Sequence, residues 1–195
     1  DAARLGHGQW GDPRIGRPNR SGTLLALLAV LAAVTASAPL VAVLGLLAWV
    51  TLARTADRSV TSLVMRRHER GARGSDVAVA VATSPWHLVL GLIGAAATLV
   101  LPLFVGACAM FASALVLTAA RGTDVRTDDV LPLVVAGVFA GLTAWWGPGG
   151  ASLRRGSRSI VRGLTPGEAA AQVAAGILLV VAAVVLVTAV TGDGP

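Results

Sequence analysis

Lysine is missing from this sequence: all 16 of its basic residues are arginine. That absence excludes chemistry built on a P-loop lysine, a kinase ATP-anchoring lysine or a Schiff-base lysine. Tyrosine is absent too, and there is one cysteine, Cys108. A single thiol forms no intramolecular disulfide, no Cys-x-x-Cys redox pair and no multi-cysteine zinc site. Cys108 lies deep in an apolar run and is read as a small packing residue, since a palmitoylated cysteine would sit near a membrane surface. Charge is scarce as well. Charged residues make up 13% of the 195 residues, against about 25% in soluble domains, while 55% are hydrophobic and the mean hydropathy is +0.75. A soluble globular fold is excluded.

What is present is concentrated in four runs free of Asp, Glu and Arg: 21–53, 77–120, 130–153 and 169–192. Each exceeds the roughly 20 residues a membrane-crossing helix needs. The first run would measure about 50 Å as one helix against a hydrocarbon core of about 30 Å, so it must turn back. Thr35-Ala36-Ser37-Ala38-Pro39 is its one polar, helix-interrupting patch, which predicts helices over 23–34 and 40–53 joined as a hairpin. A secretory signal is excluded by the length of the run, and Pro39 argues against cleavage after Ala36-Ser37-Ala38.

The second helix is expected to run on past the apolar segment. Trp49, Ala53, Ala56, Val60 and Leu63 recur at helical spacing, with Arg54, Arg58, Ser62, Arg66 and Arg70 opposite, giving a basic amphipathic extension at 54–73 that breaks at 71–76. Ser84 and Pro85 have the order of an N-cap and a first-turn proline, so a helix is expected from near Trp86. The stretch 86–120 is again about 50 Å long and carries Pro102, so it reads as a second proline-centred hairpin or one strongly kinked and tilted helix, the hairpin being preferred although Leu101-Pro102-Leu103 offers no polar turn residue. A polar loop at 121–129 precedes a helix over 130–146. That helix ends in Trp145-Trp146 and the turn Gly147-Pro148-Gly149-Gly150, and a second basic segment at 154–162 follows. Thr165-Pro166-Gly167-Glu168 has the elements of a capping box and opens a last helix over 169–190. Residues 1–20, with four Arg, four Gly and two Pro, read as a flexible cytoplasmic linker, and 21–195 as a single membrane domain.

The expected fold is therefore all-α and polytopic, with six apolar helices: two proline-centred hairpins plus two further helices. Four Arg in 1–20 and six in 54–73 place both segments in the cytoplasm by the positive-inside rule. The predicted location is the inner (cytoplasmic) membrane, multi-pass, with a cytoplasmic N-terminus. Length favours six crossings. Charge favours five, because only then do the arginines of 154–162 also face the cytoplasm, and the hard-to-place element is 86–101.

Buried charge in a bilayer is a functional signal, costing at least about 2.5–3.5 kcal/mol at its centre, but no run contains Asp, Glu or Arg in its interior. His87 reads as a headgroup-level side chain rather than a proton site. Gly137 and Gly141 form a GxxxG that serves helix packing, within the chain or in self-association. Trp145 and Trp146 read as an interfacial aromatic belt. Arg54, Arg58, Arg66, Arg67, Arg70 and Arg73 are candidate contacts for anionic lipid headgroups, against the plainer role of fixing orientation. Nucleic acid is disfavoured despite a pI near 11.5, because the charge lies in membrane-adjacent segments without interleaved aromatics. No catalytic set, metal ligand cluster or cofactor motif is present, so no metal or cofactor is expected.

The segments Ala53-Arg54-Thr55-Ala56-Asp57-Arg58-Ser59, Arg70-Gly71-Ala72-Arg73-Gly74-Ser75-Asp76-Val77, Ser84-Pro85-Trp86-His87-Leu88 and Trp145-Trp146-Gly147-Pro148-Gly149 together resemble the C-terminal multi-helix membrane region of actinobacterial proteins described as serine/threonine protein kinases. The resemblance spans nearly the whole chain and rests on non-catalytic motifs. It implies a cytoplasmic kinase domain ahead of Asp1, joined through 1–20, in keeping with a chain that begins without Met. No kinase residue carries over, for there is no Lys, no His-Arg-Asp and no Asp-Phe-Gly. The expected function is membrane anchoring, with regulation through assembly or lipid sensing, of a larger signalling protein, and no catalysis in this chain. The alternative is a small transporter or permease subunit for a lipophilic substrate, weakly supported by the breaks at Pro39 and Pro102.

Overall fold

A computed structural model of the protein describes residues 21–70, 75–165 and 167–192, with side chains described outside 59–88. The described residues form six helices: α1 (Ser21–Ser37), α2 (Pro39–Arg70), α3 (Ser75–Arg121), α4 (Val130–Trp146), α5 (Gly150–Leu164) and α6 (Glu168–Thr191). No strand occurs among the described residues. The expected linker at 1–20 and most of the expected break at 71–76 lie outside them.

The first hairpin forms where the polar patch stands. The Ala38 amide still donates to Val34 O at 2.7 Å, and Pro39, with no N–H to satisfy, opens α2. Thr35 turns its hydroxyl back onto Leu31 O at 2.7 Å. From Pro39 the chain runs as one 32-residue helix to Arg70.

The stretch 86–120 corrects the sequence reading twice. There is no helix start near Trp86 and no hairpin at Pro102: α3 is continuous over 47 residues, about 70 Å. A proline inside a helix forfeits one backbone hydrogen bond, whereas a turn at hydrocarbon depth strands several amides at once. With no polar residue at 101–103 to stabilise a turn, the helix continues, and Pro102 is buried within the bundle.

Helix directions follow from the contacts. Gly137 of α4 lies on Ala32 and Thr35 of α1, and Gly141 on Leu28 and Leu31, so these two helices are antiparallel. Gly106 of α3 meets Ala136 and Ala140 of α4, while Thr98 meets Gly149, again antiparallel. Thr23 donates to Ala171 O at 3.3 Å, which brings the beginnings of α1 and α6 together. One end of the bundle thus gathers the starts of α1 and α6, residues 49–58 of α2, Gly94 and α5. The Pro39 turn and the 122–129 loop lie at the other.

Between α4 and α5 the chain bends by 97°. Gly149 takes φ +79°, a left-handed conformation other residues rarely adopt, and Arg154 donates to Trp145 O, satisfying a carbonyl left open where α4 stops. The expected capping box at 165–168 is also corrected. Gly167 is the N-cap of α6, without a side-chain cap bond. Thr165 instead returns its hydroxyl to Val161 O at 2.6 Å, closing α5. Pro166 lies outside the described residues.

Leu46, Val50 and Ala53 of α2, Ala95 and Leu99 of α3, Ala144 of α4 and Leu153 of α5 form the buried core. Large apolar side chains such as Leu40, Phe104, Leu115, Val180 and Val190 point outward instead. Small residues inside and large apolar ones outside are the arrangement expected in lipid. Three helical segments are long and apolar enough to cross a membrane, Pro39–Arg58, Val89–Arg121 and Glu168–Thr191, or four if the bent α4–α5 pair is taken as one span. The protein is an α-helical membrane protein. Of its six helices five are apolar, and the sixth, α5, is the basic segment at 154–162 coiled into an amphipathic helix rather than half of a second hairpin.

Candidate functional site

The polar chemistry of the described residues concentrates where α5 crosses α2. Trp49, Ala53 and Asp57 recur every fourth residue and so share one stripe of α2. Against them α5 sets Ser157, Gly156 and Arg155. The Trp49 indole donates to Ser157 Oγ at 3.1 Å, and Arg155 makes a two-pronged bond to Asp57 at 3.0 and 3.1 Å. Facing that carboxylate and hydrogen-bonded to it, the Arg155 guanidinium is held above the ordinary arginine range. Between the two bonds the backbones nearly touch, for a Cβ on Gly156 would lie 1.8 Å from Ala53 O.

Arg54 ties the same end to α3 and to the bend. Its Nη1 donates to Gly94 O at 3.2 Å and its Nη2 to Gly149 O at 3.4 Å. Glycine suits the position opposite it because of the positive φ, and an added Cβ there would also push against Nη2. Arg54 Nε and Arg58 Nη1 are buried without a hydrogen-bond partner. Of the six arginines expected at lipid headgroups, Arg54 is therefore turned inward onto backbone carbonyls, with Arg58 half-buried beside it. The side chains of Arg66, Arg67 and Arg70, all of Arg73, and the His87 side chain lie outside the described residues.

Gly137 and Gly141 are used against α1. A Cβ at the first would lie 2.6 Å from Thr35 Oγ1, and at the second 2.4 Å from Leu28 Cδ1. Cys108 corrects its expectation: it is exposed on the outer face of α3 rather than packed. Trp146 is exposed, whereas Trp145 packs against the core.

Beside the crossing is a feature the sequence reading missed. Helices α1, α2 and α4 leave between them an apolar cleft of about 840 Å³, within the roughly 300–1,000 Å³ usual for ligand sites. Leu24, Leu28 and Leu31 form one wall, Val41, Gly45 and Trp49 another, and Trp145 closes the back. Among the described residues its charged lining is Arg158 and Arg162 of α5, one helical turn apart and exposed. Neither has a hydrogen-bond or ion-pair partner among the described residues. The available signal was Leu153, Ser157 and Val161 at helical spacing, with Arg154, Arg158 and Arg162 one position along.

This is an α-helical membrane bundle with an amphipathic basic helix across one end. Comparison with protein-family models, curated proteins and solved structures finds no match to the chain.

Proposed function

We propose that this chain is a membrane-anchoring domain that mechanically couples the bilayer to a larger signalling protein, from the cytoplasmic membrane and with its N-terminus in the cytoplasm. The observation that carries the reading is α2. Its apolar part, Pro39–Arg58, passes without a break into a basic stretch that ends at Arg70, so one rigid rod leaves the bilayer at the level where Arg54 fastens it to α3 and the α4–α5 bend. The placement of α5 supports five crossings: α3 passes once, and the arginines of α5 then share a face with those of α2, as the positive-inside rule asks. The kinase resemblance adds the kind of partner domain, which would lie ahead of Asp1.

The open cleft favours a second reading, passage of a lipophilic molecule. Among the described residues no carboxylate lines the cleft to couple such passage to ions, which places this reading second. A fluorescent reporter joined ahead of Asp1 tests the anchor. The reporter should remain with membranes through an alkaline wash and be digested only when protease reaches the cytoplasmic face. Release by the wash, or digestion from outside intact cells, overturns the reading. Flux of a lipophilic dye through proteoliposomes carrying the chain favours the transporter.

A further inference from the structure

The cleft has a mouth, a depth and a polarity, and the three agree. Its charged residues, Arg158 and Arg162, stand at the end where α1 begins, and Ser21, the first residue of α1, is in the lining with them. From that end the cleft follows α1 from Ser21 to Val34 and reaches Val41 past the Pro39 turn, about 20 Å at helical rise against a hydrocarbon core of about 30 Å. Apart from the arginines and Ser21 the lining is apolar or aromatic. A cation pair at headgroup level above a long apolar groove is the chemistry of an amphiphile with a negative head and a hydrocarbon tail.

We propose that the cleft holds one anionic phospholipid of the leaflet in which α5 lies, with acyl chain between α1 and α2 and phosphate at Arg158 and Arg162. The inference rests on the membrane placement given above, but its failure leaves anchoring and orientation intact, because those depend on the α2–α5 crossing. Trp49 and Ser157 act as positioning residues: their bond fixes the turn of α5 that precedes Arg158. The cleft also accounts for Gly45, whose added Cβ would meet nothing within 4 Å.

The test uses the full chain, reconstituted in nanodiscs of neutral and anionic phospholipid, extracted into mild detergent and examined by native mass spectrometry. One retained phospholipid per chain is expected, enriched in the anionic species. The R158Q/R162Q double variant should lose about 30-fold in anionic-over-neutral preference, from about fivefold for each interfacial arginine. G45F, built into the cleft from a position where an added Cβ meets nothing within 4 Å, should lose the lipid while keeping wild-type helical content and melting temperature in detergent. Absence of a retained phospholipid in the wild type, equal retention of neutral and anionic lipid, or undiminished binding in G45F overturns the proposal. So does a wild-type dimer that G45F converts to monomer, since a second copy would then occupy the cleft.

Discussion

The two sides of α2 at one membrane level are built on opposite principles. Toward α5 and α3 it is closed by backbone approach and polar bonds: Gly156 against Ala53, Trp49 to Ser157, Arg54 to Gly94 and Gly149. Toward α1, only a turn away, leucines and valines face one another across an open cleft. In water the apolar side would collapse first. In lipid, leucine gains nothing by leaving hydrocarbon, so close backbone approach and hydrogen bonds decide which helices close, and Leu46, Val50, Leu99 and Leu153 fill the space between the helices that do. The joint at the arginine end is therefore the rigid part of the molecule, and the leucine-lined side is the adaptable one.

The sharpest way to break this contrast is to add bulk to each side. Gly156→Leu drives a side chain into the backbone of α2 and should cost about 3 kcal/mol or more, seen as a lower melting temperature of helical circular dichroism in detergent. Gly45→Leu adds the same bulk on the open side and should cost nothing measurable. Equal losses would mean that the two sides are packed alike.

Removing the polar bonds grades the closed side further. Arg54→Ala deletes two charge-assisted bonds to carbonyls and should cost about 2 kcal/mol. Ser157→Ala keeps the Trp49 ring in place and removes one bond between helices, worth about 0.6 kcal/mol. The smallest effect belongs to Arg155→Gln, because that guanidinium is 64% exposed and its pairing with Asp57 is screened. Its contribution should fade as salt is added. Pairing raises the arginine's titration, so its stabilising effect is complete below the ordinary arginine range and is lost only above it. The difference between wild type and variant should therefore be flat from neutral to mildly alkaline pH.

Which parts were legible in the sequence follows the same physics. The Pro39 hairpin was readable because a proline coincides with Thr35 and Ser37, which supply the turn with hydrogen bonds. Pro102 was misread because a proline alone does not say whether a helix breaks or runs through, and in hydrocarbon the cost of stranded amides decides. α5 escaped notice since its apolar face is only Leu153, Ile160 and Val161 among arginines, serines and glycines, and its orientation is set by the 97° bend and by contact with α2. Arg54 looked like every other positive-inside arginine. Its inward turn depends on Gly94 and Gly149, 40 and 95 residues away, which no local pattern connects.

The relation of α5 to the rest of the bundle can be measured directly. In a Cys108→Ser background, the Ser159→Cys and Thr123→Cys variants place single thiols on the exposed face of α5 and in the loop between α3 and α4. With an impermeant maleimide, the α5 position should be labelled only in inside-out vesicles and the loop position only in right-side-out ones. Labelling of both positions from the same face would contradict a single passage of α3 and the placement of both arginine-rich helices at one membrane surface.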